Sequence, residues 1–189
     1  YNEAGSGLQY TYHNAKNAET FGIELDVKKS LDFIGLRGLS LVCNAAYIHS
    51  RVRFEEGAPE RDRPLAGQSP YLVNAGLFYQ HDDKGISASL LYNRIGKRIE
   101  SVGVPMQNQN EDIPDIYEMP RNSLDLTFSK KIGKVVEIKA GIQDMLNSKI
   151  EYKQFVKLAD ENGGKREREQ LVRSYRPGVD INVGVSLKF

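Results

Sequence analysis

The sequence predicts an all-β fold: an antiparallel, up-and-down transmembrane β-barrel segment of about eight strands, running through residues 1–189 as one unit. Three observations carry this. Apolar residues recur with period two in eight separate runs. Short and long connections alternate between those runs. The last run is the cleanest: Val179, Ile181, Val183, Val185, Leu187 and Phe189 alternate with Asp180, Asn182, Gly184, Ser186 and Lys188. Period two puts successive side chains on opposite faces of an extended strand, so such a run has one apolar and one polar face. About 9–11 residues cross a bilayer at a tilt, and this run is long enough.

The first run sets Leu8, Tyr10 and Tyr12 against Gln9, Thr11 and His13. The short link Asn14–Ala18 leads to the second, where Phe21, Ile23, Leu25 and Val27 oppose Gly22, Glu24, Asp26 and Lys28. The third has Leu39, Leu41, Cys43, Ala45 and Tyr47, and the fourth Tyr71, Val73, Ala75, Leu77 and Tyr79. In both, the second face is mixed, with Val42 and Ile48 in one and Leu72 and Phe78 in the other. The fifth run is Ile86, Ala88, Leu90 and Tyr92; the sixth Leu124, Leu126 and Phe128; the seventh Val136, Ile138, Ala140 and Ile142. No segment of comparable length has helical periodicity.

Three connections are tight: Ile34-Gly35-Leu36-Arg37-Gly38, Asp82-Asp83-Lys84-Gly85, and Ile132-Gly133 between two lysines. Glycine supplies the positive φ that such turns demand. Three are long, at about Val52 to Ser69, Ile95 to Met119 and Asn147 to Ser174. A transmembrane barrel requires short turns on the periplasmic side and longer loops outside. Counting back from a periplasmic Phe189, the three tight turns fall inside and the three long loops outside; only the link Asn14–Ala18 breaks the alternation. Phe21, Tyr47, Tyr71, Tyr92 and Tyr175 then lie near the outer loops. Tyr79, Phe128, Phe189 and Phe33 lie near the inner turns. These are two interfacial girdles. A soluble sheet alternates as well, and there the same rings are core aromatics. The loop asymmetry and the terminal Phe favour the barrel.

Composition narrows the rest. A formal net charge of +1 does not favour a nucleic-acid partner. No apolar run approaches the roughly 18 residues of a membrane helix. Cys43 is the one cysteine, so no internal disulfide forms. The chain begins at Tyr1 without a methionine or a signal peptide, so it is expected to be a piece of a longer protein.

Three stretches resemble the carboxyl-terminal part of the β-barrel of TonB-dependent outer-membrane receptors. They are Asn17-Ala-Glu-Thr-Phe-Gly-Ile-Glu-Leu-Asp26, Arg63-Pro-Leu-Ala-Gly-Gln-Ser-Pro-Tyr-Leu-Val-Asn-Ala-Gly-Leu77, and Ala140-Gly-Ile-Gln-Asp-Met-Leu-Asn147 followed by a long loop and the terminal strand. The likeness implies that residues 1–189 are the last third of a 22-stranded barrel, without its plug domain. It implies an outer-membrane receptor of a Gram-negative envelope that takes up a scarce bulky ligand, such as an iron chelate, cobalamin or a glycan. The implied partners are the rest of the same barrel and its plug, TonB through the absent amino-terminal part, outer-membrane lipid, and the barrel-assembly machinery. That machinery would read the end marked by Val185, Leu187 and Phe189, and the carboxyl terminus would be periplasmic.

The candidate sites are few. His13, His49 and His81 lack metal-ligand spacing. Cys43 falls on an apolar face and reads as a small hydrophobe. Glu161-Asn-Gly-Gly-Lys165 lacks the full phosphate-loop pattern and reads as a loop tip. The mixed-sign run Lys165–Glu169 reads as a solvated loop. Polar-face charges (Glu24, Asp26, Lys28, Asp125, Glu137, Lys139, Asp180, Lys188) suit either plug and ligand contact or cross-strand ladders. The best ligand-contact candidates are Asn108, Asn110 and Tyr117, flanked by Arg98 and Arg121, because polar side chains beside an aromatic suit a polar ligand. No Ser/His/Asp constellation is found; no enzyme activity, cofactor or metal is expected. Two rival readings stand beside this one. One is a complete eight-stranded outer-membrane barrel with a structural, adhesive or enzymatic role. The other is a soluble β-sandwich or calyx with its apolar face turned inward.

Overall fold

A computed structural model describes residues 14–58, 60–104, 112–159 and 165–188. Eleven strands occur among them: β1 (Asn17–Ser30), β2 (Leu39–Arg53), β3 (Tyr71–His81), β4 (Ile86–Ile95), β5 (Arg98–Ser101), β6 (Ile116–Glu118), β7 (Arg121–Ile132), β8 (Val136–Gln143), β9 (Ile150–Ala159), β10 (Lys165–Tyr175) and β11 (Asp180–Leu187). Seven form one sheet in the order β1-β2-β3-β4-β7-β8-β11; four form a second in the order β5-β6-β9-β10. Every pairing is antiparallel.

The seven-stranded sheet contains the second to eighth runs read from the sequence, in register. The first run, around Leu8 to Tyr12, lies outside the described residues. The three tight turns sit where the glycines predict. Gly35, Gly85 and Gly133 have φ of 84, 57 and 59°. The first turn is a single 3-10 turn at Asp32–Ile34, clamped by its own carboxylate. Asp32 accepts from Ser30 Oγ at 2.7 Å and from the Gly38 amide at 2.9 Å, which holds its carboxyl below the usual range.

Two expectations need correction. The link Asn14–Ala18 runs into β1, which begins at Asn17, and the Lys16 amide already donates to the Arg53 carbonyl at 2.9 Å. Two of the three long connections are not plain loops: the second contains β5 and β6, and the third β9 and β10. β5 and β6 are too short to show a period of two, β10 carries charges on both faces, and in β9 Gln154 and Phe155 blur an alternation of Glu151 and Lys153 with Ile150, Tyr152 and Val156.

The second sheet prolongs the first. Its order matches the β4-β7-β8-β11 part of the wall. β4 resumes as β5 beyond Gly96-Lys97, and β6 leads into β7 across Met119-Pro120. β8 leads to β9 through residues 144–149, and β10 leads to β11 through residues 176–179. Each break has a local cause. Pro120 lacks an amide hydrogen for the ladder. A Cβ on Gly96 would stand 2.8 Å from both Ser69 Oγ and the Tyr71 ring. Asp144 and Asn147 take φ of 52 and 42°, and Gly178 takes 97°.

The apolar side of the seven-stranded sheet is bare. Ile23, Ile181 and Val183 are 77, 70 and 73% exposed, and Phe21, Leu25, Tyr47, Val185 and Leu187 are exposed too. Nothing among the described residues packs over them as the second layer of a sandwich would. Buried side chains gather instead at the loop end: Val52, Ile99 (2% exposed), Tyr152, Ser50 and Ser69.

The opposite side is a polar ladder. Asp26, Asn44, Asn74, Asn93 and Ser123 share one rung across β1, β2, β3, β4 and β7. Asn44 Nδ2 donates to Glu24 Oε1 and Asp26 Oδ1, both at 2.7 Å. Asn74 donates to Asn44 Oδ1 at 3.3 Å, and Asn93 donates to Asn74. For these polar-face carboxylates, cross-strand ladder bonding is what the structure shows.

Gly38 has φ of 76° and lies so close to β3 that a Cβ would run into the Gln80 carbonyl oxygen. Gly38→Ala is therefore expected to destabilise the turn by about 1–3 kcal/mol. A lowered midpoint for the folded, heat-modifiable gel band of the full-length protein would measure it.

Candidate functional site

The end of the wall that carries the long connections is the most structured surface outside the seven-stranded sheet. Residues 54–58 and 60–70 fold back onto it. Val52 and Arg63 exchange backbone hydrogen bonds at 2.7 and 3.2 Å. Asp62 accepts from the Phe54 amide at 3.3 Å and from Arg51 at 3.0 Å, which keeps its carboxyl below the ordinary carboxylate range. Buried serines tie the segment down. Ser50 Oγ accepts from the Leu65 amide at 3.1 Å, and Ser69 Oγ accepts from the Gly96 amide at 2.9 Å and donates to the Tyr71 carbonyl at 2.7 Å. The Gly67 amide donates to the Ile99 carbonyl at 2.7 Å, joining this segment to β5. Arg61 pairs with Asp112, which joins it to the β5–β6 connection.

Two rungs of the second sheet carry the chemistry. The first runs Arg98, Glu118, Tyr152, Arg173. Arg98 donates through Nε and Nη2 to Glu118 Oε2 at 3.0 and 2.8 Å. The Arg173 guanidinium lies 4.1 Å from the Tyr152 ring centre, and its Nη2 is 3.9 Å from Glu100. The second runs Ile99, Tyr117, Lys153, Leu171. Tyr117 meets Phe155 edge to face at 5.7 Å, and Lys97 Nζ lies 4.5 and 4.6 Å from the two ring centres. Lys153 bridges Glu169 at 2.6 Å and Glu151 at 3.3 Å.

The site residues named from the sequence are distributed as follows. Arg98 and Tyr117 occupy neighbouring rungs of the β5–β6 pair. Arg121 stands at the foot of β7, where it pairs with Asp144, whose amide donates to Asp125 Oδ1 at 2.8 Å. Arg121 Nε and Asp144 Oδ1 are buried without a hydrogen bond among the described residues. Arg121 thus spans the junction between the sheets. Asn108 and Asn110 lie outside the described residues. Val185 and Leu187 pair with Ile138 and Val136 on β8; Phe189 lies outside the described residues.

Lys97, Tyr152, Phe155 and Arg173 escape the sequence reading because they fall in segments read as loops. The available signal was aromatic residues interleaved with cations over 152–175. The surface offers stacking rings, guanidinium forks and carboxylates, which together suit a polar ligand. A second feature lies on the polar face of the wall. A hollow of about 240 Å³ is lined by Val42, Asn44, Asn74, Phe78, Leu91 and Asp125. Its floor is Gly76, where a Cβ would meet Phe78 and Leu91 at 2.7 and 2.8 Å. The mixed second faces of β2 and β3 are its sequence trace.

No protein-family model matches this chain, and no solved structure matches it. The chain is 26% identical over 160 residues to transferrin-binding protein A of Haemophilus influenzae, a stretch covering 77% of this chain and 17% of that protein. It thus spans about a sixth of the relative's length. At that coarse level the chain is similar to part of an outer-membrane, ligand-binding receptor.

Two predictions follow from the geometry. Arg121→Met leaves the half-buried Asp144 carboxylate without its cation, with an expected loss of about 2–3 kcal/mol. The double variant with Asp144→Asn, which removes the charge and tolerates the φ of 52°, should recover much of it in the same unfolding assay. Burial and then Asp115 raise the Tyr117 hydroxyl above the ordinary 10.0, and burial and then Glu118 do the same for Tyr152. Hydrogen bonding to Glu169 and Glu151 raises Lys153 above 10.5. Each group holds its proton more tightly when folded, so the stabilisation is complete below the unfolded value and disappears as pH climbs through the folded one. The second sheet should loosen above about pH 10, seen as faster amide exchange in β9 and β10 than in β8.

Proposed function

We propose that this chain is the carboxyl-terminal wall section of a TonB-dependent outer-membrane receptor, with its second sheet on the ligand-facing exterior. The observation that carries this reading is the bare apolar face of the seven-stranded sheet, backed by a polar ladder and continued by a sheet with charge on both faces. A single sheet of that kind is stable where hydrocarbon meets one side and a polar lumen the other. Among the described residues β1 and β11 are the two edges of the sheet and do not pair with each other, which favours a section of a wider barrel over a closed small one. The ligand class we propose is bulky and polar: an iron chelate, cobalamin, a glycan or a protein. The relative's name attaches transferrin to that protein; for this chain the interleaved rings and cations of β5, β6, β9 and β10 support binding of a large polar surface. The polar ladder and its hollow border the plug.

Adjacent positions on β11 test the orientation. Val183 is on the bare face, and Gly184 faces the other side with open space around it. An arginine at mid-membrane on the lipid side costs about 2–4 kcal/mol. Val183→Arg in the full-length protein should lower its outer-membrane level, and Gly184→Arg should leave it near wild type. Equal levels for the two variants would refute the assignment of faces.

A further inference from the structure

Arg94 stands apart from the other arginines of this wall. It shares a rung with Val73 on β3 and Asn122 on β7, so its side chain belongs to the bare apolar face, one step beyond Tyr92. Arginines at the same end of the molecule have carboxylate partners: Arg51 with Asp62, Arg53 with Glu19, Arg98 with Glu118, Arg121 with Asp144. Among the described residues Arg94 bonds only to neutral oxygens. Its Nε donates to the Tyr71 hydroxyl at 3.3 Å and its Nη1 to Asn122 Oδ1 at 2.6 Å. The Tyr92 hydroxyl donates to the same Asn122 oxygen at 2.8 Å. The guanidinium lies 6.0 Å from the Tyr71 ring centre. A side-chain hydrogen bond also joins it to Tyr92, another neutral group. An oriented, uncompensated guanidinium is thus held between two tyrosines at the rim of the apolar band.

We propose that Arg94, positioned by Tyr71, Tyr92 and Asn122, binds the phosphate of a phosphorylated lipid in the outer leaflet. The inference rests on the membrane reading given above. Charge complementarity selects the ligand, since a cation without a carboxylate on a lipid-facing surface calls for an anion supplied by the lipid. The guanidinium fork matches phosphate oxygens. The girdle level selects the source, because tyrosines at the edge of the apolar band sit where headgroups lie. Arg51 and Arg53, neutralised by Asp62 and Glu19, offer no such site.

The test uses full-length protein extracted from outer membranes in mild detergent, with bound lipopolysaccharide quantified by native mass spectrometry. Wild type should retain it. Arg94→Gln should bind about tenfold more weakly, the worth of a charge-assisted contact. Arg94→Lys should retain part of the binding, and Arg53→Gln should match wild type. Dephosphorylated lipopolysaccharide should bind wild type as weakly as the intact lipid binds Arg94→Gln, and inorganic phosphate should not displace the lipid. Wild-type binding by a folded Arg94→Gln, equal binding of the dephosphorylated lipid, or displacement by inorganic phosphate overturns the proposal. Absence of the wild-type protein from the outer membrane overturns the membrane reading and this inference with it. Presence there without an Arg94 effect overturns this inference alone.

Discussion

The rest of the structure depends on one unmet contact: the apolar side of a seven-stranded sheet is covered by no other described residue. Alternation in Phe21–Val27, Leu124–Phe128 and Val179–Leu187 concentrates the sheet's hydrophobic surface on that side. In water such a surface is a liability far larger than the apolar patches soluble monomers tolerate. Each strand between the edges satisfies its backbone through two neighbours, so the sheet needs no solvent for its amides. Given hydrocarbon against that side, the remaining features have work to do. The tight turns end strands cheaply, the rings mark the borders of the band, and polar residues are left to the other face.

Where the wall leaves the band, the pressure for alternation ends. This explains why four of its strands break and resume. Beyond Gly96, Pro120, Asp144 and Gly178, both faces of the second sheet carry charge, and β10 opens with Lys-Arg-Glu-Arg-Glu. That sheet is held by paired charges and cation–ring contacts rather than by an apolar core. Exposed ion pairs contribute at most about 1 kcal/mol each. The cohesion therefore comes from the few buried groups at the junction: Ile99 beneath residues 65–69, Tyr152 beneath Arg173, and the serines that anchor the fold-back to the wall.

The wall was legible in the sequence because an apolar side and a polar side write a period of two. Each of β1 to β4, β7, β8 and β11 carries that signature, and the glycines at 35, 85 and 133 mark the turns between them. β5 and β6 are too short for such a signature, β10 has charges on both faces, and β9 alternates only from Ile150 to Lys153 before Gln154 and Phe155 break the pattern. The candidate site was legible only in part. Tyr117 and Arg98 could be picked out by type, but their partners Phe155, Lys97 and Glu118 are set by strand pairing across separations that no local pattern records. Arg94 was hidden for the opposite reason: it sits at an apolar position of a regular run, and only the register shows that its neighbours are all neutral.

The inner face of the wall is not uniformly wet, and this constrains what can occupy the space beside it. The amide ladder is directional. Asn93 gives to Asn74, Asn74 to Asn44, and Asn44 to the carboxylates of β1. Donors are consumed toward β1, so the face is acceptor-rich at Glu24 and Asp26. Immediately beside the ladder, Phe78 and Leu91 close in on Gly76 and make an apolar patch. A purely hydrated lumen would leave that patch exposed to water, and a purely apolar filler would strand the amides. A folded element with both a hydrogen-bonding edge and an apolar side chain satisfies both demands at once. A plug bordering this face in the proposed receptor would have to be an element of this kind.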